Sequence, residues 1–83
     1  MTGDNRLSDV KNKAQVFFEK QIFIFVKVIK SNGGYELRNG IIKELSALFF
    51  IIIDYKTNQR VPIFFSELIN EGSIFEPSRE ERK

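Results

Sequence analysis

Leu48-Phe49-Phe50-Ile51-Ile52-Ile53 is the segment that most restricts how this chain can fold. Its residues are almost all aromatic or β-branched, the side chains that suit a pleated surface. The apolar run from Leu45 to Ile53 is interrupted by Ser46 and falls well short of the roughly 20 residues a membrane helix needs. In a strand, neighbouring side chains point to opposite faces, so Phe49 and Phe50 cannot enter the same core. Phe64 and Phe65 face the same restriction. One member of each pair therefore needs a cover: a neighbouring subunit, a ligand or a helix. Core packing plus subunit contact is the simpler account, and stacking on a nucleobase is the alternative.

Strand texture recurs on both sides of this run. Ile22 to Ile29 is apolar on both faces until Lys27, which suits a strand covered by the core on one side and by a helix on the other. Ser31-Asn32-Gly33-Gly34 is a hairpin turn, and a second strand runs from Tyr35 to about Glu44. Gly40 lies in its middle, where glycine marks a bulge or a sharp bend. The third strand covers Ser46 to Tyr55, and residues 54–59 form the next turn. Val61 to Phe65 is a fourth strand. Pro62 cannot donate to a ladder, so this strand needs an open edge or an outside partner. Ser66-Glu67-Leu68 reads as a brief helical turn, and residues 72–76 as a short fifth strand stopped by Pro77.

Ahead of the strands, Val10, Ala14, Phe17 and Phe18 form one apolar stripe at helical spacing. This predicts a helix over about 9–18, capped by Ser8 or Asp9. The whole 1–83 chain is then one mainly β domain: a short helix, a strongly bent five-stranded antiparallel barrel over about 22–77, and a charged tail at 78–83.

The chain has neither cysteine nor histidine. Disulfides, thiolate ligands, the usual nucleophiles and the near-neutral proton shuttle are all missing, so no enzyme, metal site or cofactor is expected. A domain this small without staples gains buried area by associating with copies of itself. Net charge is +2, with ten Lys/Arg against six Asp/Glu over residues 1–60 and three against five over 61–83. That balance permits a phosphate-facing surface without requiring one. With no apolar leader after Met1 to Arg6, a soluble cytoplasmic protein away from membranes is expected.

Gly34 and Gly40 carry a family resemblance. From Gly40 the run Gly-Ile-Ile-Lys-Glu-Leu-Ser-Ala-Leu-Phe-Phe-Ile-Ile-Ile follows without a gap, and the helix and turn spacing agree over about 8–77. The chain thereby resembles a divergent member of the Sm-like family, which includes the LSm proteins and Hfq. The resemblance implies a bent small barrel, assembly into rings and RNA binding. Ser46 stands where the family motif has Asp, Phe49 where it has Met and Phe50 where it has Asn. Phenylalanine cannot make the hydrogen bonds of that Asn to a base edge. The family's second motif is replaced around Phe64-Phe65-Ser66-Glu67.

Two functions fit. One is a homo-oligomeric ring binding single-stranded RNA, with Phe50 stacking on a base and Lys43, Ser46 and Phe49 beside it. The other is a barrel of the same build serving protein interaction or structure, with no nucleic acid. The resemblance also implies that the fourth strand of one copy meets the fifth of the next, which makes Val61, Ile63, Phe65, Ile74 and Phe75 the expected oligomer contacts.

Overall fold

A computed structural model describes residues 2–78. Helix α1 (Thr2–Lys20) leads into β1 (Ile24–Ile29), β2 (Tyr35–Leu45), β3 (Phe49–Asp54) and β4 (Arg60–Phe64). A one-turn helix, α2 (Phe65–Leu68), precedes β5 (Ile74–Pro77). All pairings are antiparallel and the sheet order is β4-β3-β2-β1-β5. The mainly β architecture with a leading helix agrees with the sequence. The tail beyond Ser78 lies outside the described residues.

Helix α1 starts earlier than its spacing suggested. Ser8 and Asp9 are exposed residues inside the helix, not caps, and their poorer helix propensity costs only tenths of a kcal/mol each. Leu7 sits one turn ahead of Val10 and extends the apolar stripe that packs on the core. At the other end the N–H of Gln21 reaches the Phe18 carbonyl and that of Ile22 the Phe17 carbonyl, at 3.3 and 3.0 Å. These are the paired bonds of a Schellman ending, with Gln21 in the left-handed position at φ 53°. Its side-chain amide donates to Phe18 and, at 3.3 Å, to the Ile42 carbonyl, tying the helix end to β2.

The first hairpin closes where the glycines stand. Gly33 takes φ 95°, and Asn32 Oδ1 accepts from the Gly34 N–H at 2.9 Å. At Gly40 a Cβ would run into the Ile53 carbonyl oxygen and lie 2.9 Å from its carbon. The approach of the β3 backbone is therefore what requires glycine there. The register break comes slightly later, between Ile42 and Glu44, and leaves Lys43 as the extra residue of a bulge.

One face of the sheet holds the core: Ile24, Val26 and Val28 from β1, Ile42 from β2, Phe50 and Ile52 from β3, Ile63 from β4 and Phe75 from β5. Ala14 and Phe17 of α1, with Phe65 and Leu68 of α2, cover the same face. This corrects the expectation that β1 lies between core and helix. Helix and core share one side, and Phe25, Lys27 and Ile29 on the other side are half-buried.

The expected closed barrel is also corrected. Among the described residues β4 and β5 are the two outer strands and do not pair. Each carries a proline that lacks the N–H a closing ladder would use.

Candidate functional site

The four residues suggested for RNA are not brought together. Lys43 is thrown outward by the bulge and lines a cleft of about 300 Å³ with Gln21, Phe23, Tyr55 and Asn58. Ser46, three residues on, opens on the helix side, in a hollow of about 170 Å³ with Lys11, Gln15 and Phe65. Phe49 is half-buried against Phe64, ring centres 5.3 Å apart. Phe50 has no exposed surface at all. Its ring stacks on Phe75 at 5.3 Å and 17° and tilts against Phe65 at 5.7 Å. This corrects the expectation that Phe50 stacks on a base, because its fully buried ring packs against Phe75 and Phe65 in the core.

The β2–β3 turn does form a groove, with different residues. The Ser46 N–H donates to the Phe49 carbonyl at 2.8 Å, and Phe65 donates to the Leu48 carbonyl at 3.1 Å. These bonds hold Ala47 and Leu48 out at the tip. Leu48 is 69% exposed and Phe64 42%. Together with Leu7, Lys11 and Ser66 they line a second hollow of about 150 Å³ that shares Lys11, Ala47 and Phe65 with the first. Lys11 Nζ stands 5.9 Å from the centre of the Phe65 ring. A cation beside an aliphatic tip and an open aromatic ring can take a flat ring together with its phosphate. Alternation through Phe64 and Phe65 leaves one ring outward, and it is Phe64, which was not among the residues expected to meet RNA. Lys11 gave no signal beyond its place opposite the helix's apolar stripe.

The suggested assembly residues divide in the same way. Ile63, Phe65 and Phe75 are buried in the subunit's own core, which corrects their assignment as contact side chains. Val61 and Ile74 are half-buried. What the edges offer a partner is mainly backbone. Phe65 donates to Leu48, and Asp54 to the Gln59 carbonyl, so the odd-numbered residues of β4 bond to β3. Arg60, Pro62 and Phe64 consequently turn their backbone groups outward. Ser78 donates to the Phe23 carbonyl, so Ile74 and Glu76 bond to β1 while Phe75 and Pro77 face out.

A chain of charged side chains joins β2 to the ends of β1 and β3 and to helix α2. Asp54 Oδ2 accepts from Arg38 at 3.1 Å, Arg38 reaches Glu36 at 2.7 Å, and Lys30 bridges Glu36 and Glu67 at 3.3 and 3.4 Å. Asp54 Oδ1 accepts from the backbone N–H groups of Lys56 and Thr57. Burial pushes the Asp54 carboxyl up, but the Thr57 N–H, Arg38 and the Lys56 N–H outweigh it and hold it below the ordinary aspartate range. Glu36 is likewise held low, chiefly by its hydrogen bond from Arg38. These partners make the cluster a structural rim.

Among the described residues no group of three acidic side chains converges as a metal ion would require, and no helix is long and apolar enough to cross a membrane. Compared with protein families, with curated proteins and with solved structures, the chain matches none.

Proposed function

We propose that this chain is an Sm-like subunit that assembles with copies of itself into a ring and binds single-stranded RNA in the groove beside the β2–β3 turn. The observation that carries the reading is the five-stranded antiparallel sheet behind a leading helix, in the order β4-β3-β2-β1-β5, with both outer strands unpaired among the described residues. Unpaired edges are templates for strand addition, and a ring satisfies them all at once. In the groove, Leu48 and Phe64 supply the surface for a base and Lys11 the charge for a phosphate.

A second reading, a ring of the same build that contacts a protein, is favoured by the state of the cations. Lys30, Arg38 and Arg60 are already in ion pairs. Anisotropy titrations with labelled oligo-U and oligo-A at low salt separate the two. RNA binding predicts an affinity that falls with added salt as counterions are released, and a Lys11→Glu variant with a shallower salt dependence. Phe64→Ala should cost roughly 1–3 kcal/mol of binding if a base stacks there, with the oligomer's mass unchanged. No binding to either oligonucleotide at low salt rejects the RNA reading in favour of the protein-contact one.

A further inference from the structure

We propose that the two prolines of the chain set the register in which one copy's β4 pairs with the next copy's β5, placing Pro62 opposite Phe75. This rests on the assembly reading above. Both prolines lie on sheet edges, one on each, and both are exposed at positions whose backbone groups turn outward. Each therefore offers a neighbour a carbonyl and no N–H.

Three antiparallel registers bring outward positions of the two strands together. With Pro62 opposite Phe75, the Phe75 N–H reaches the Pro62 carbonyl, the Arg60 N–H the Pro77 carbonyl and the Phe64 N–H the Ser73 carbonyl. Every available donor of both edges is then used. Sliding two residues one way sets Pro62 against Pro77, two carbonyls facing each other with no donor between, and among the described residues only Phe64 and Phe75 bond. Sliding two residues the other way sets Arg60 against Phe75 and Pro62 against Ser73. The Ser73 N–H is already given to the Asn70 carbonyl at 3.1 Å, so Pro62 again gains nothing. An N–H left without an acceptor inside a ladder is the costlier orphan, so the register that uses all donors wins.

The antiparallel joint also fixes which side chains meet. In the favoured register Val61 of one copy lies directly opposite Glu76 of the next, in a non-hydrogen-bonded pair, the closer kind of cross-strand pair. Sliding moves Val61 to Ile74 or to Ser78.

Because the chain has no cysteine, engineered pairs report the register cleanly. Three full-length double variants are compared under mild oxidation: Val61→Cys with Glu76→Cys, with Ile74→Cys, and with Ser78→Cys. Light scattering on each reports assembly separately. The expected result is a disulfide-linked ladder on a non-reducing gel for the 61/76 pair and little for the other two. Adding Pro62→Ala and Pro77→Ala restores donors to the proline-facing register, so the 61/78 pair should then cross-link as well. Assembled protein that cross-links best through 61/74 or 61/78 with both prolines intact overturns the register while leaving the ring reading standing. A species that stops at a dimer means like-strand pairing and also overturns it. A monomer in all three variants and in the parent chain overturns the ring reading, and this inference with it.

Discussion

Asp54 is the residue whose chemistry most directly couples the sheet to pH. It is 5% exposed and accepts from Arg38 and from two backbone N–H groups of the β3–β4 turn. Its folded pKa lies below its unfolded one, so its stabilisation is fully present above the ordinary aspartate value of roughly 3.9 and disappears as pH falls through the lowered folded value. Glu36 adds a loss of the same sign, below the ordinary glutamate range. Chemical denaturation should therefore show falling stability below pH about 4, and Asp54→Asn should flatten that limb. Asp54→Ala leaves three donors without their acceptor and should cost about 2–4 kcal/mol at neutral pH. Phe50 makes a simpler case. With its ring fully buried between Phe75 and Phe65, Phe50→Ala should cost about 3–5 kcal/mol through the cavity it leaves. An RNA defect in this variant without a stability loss would contradict that placement.

At the scale of elements, the two glycines that matter were legible because each has a local cause. Gly33 is needed for a left-handed turn and Gly40 for the close pass of the β3 backbone. Gly40→Val should lower the melting temperature sharply, by more than the ~0.5 kcal/mol of an ordinary surface change, and an unchanged melting curve would show that β2 and β3 do not approach there. Strand positions were legible for a similar reason: β-branched and aromatic runs between turn residues leave few alternatives. What escaped was tertiary. The helix start was missed because residues ahead of Leu7 carry no apolar periodicity, and the Lys43 bulge because a register shift belongs to the pairing of β2 with β3. Which of Phe49 and Phe50, or of Phe64 and Phe65, turns inward depends on the same pairing. That choice bears on the candidate site, since Phe50 and Phe65 are core while Phe64 is the outward ring that lies at the groove. Gln21 closes helix α1 in a position that favours glycine, with its amide bridging Phe18 and Ile42. Gln21→Ala should lose that bridge and keep the strained backbone, and is expected to cost about 1–2 kcal/mol.

For the molecule as a whole, the sheet is an unfinished structure. One face is packed by two helices, while Phe25, Ile51 and Ile53 on the other are half-buried and outside the core cluster. Both edges expose backbone groups, softened by one proline each. A small domain with no cysteine to form a disulfide gains most by covering such surfaces with its own copies. Self-assembly is thus the claim on which the ring reading and the register both depend. Size-exclusion chromatography with light scattering on the full chain at micromolar concentration tests it most directly. The expected result is one closed species whose mass is a whole multiple of 9.7 kDa and more than twice that value, unchanged on dilution. A sharp 9.7 kDa monomer across the same concentrations would contradict it.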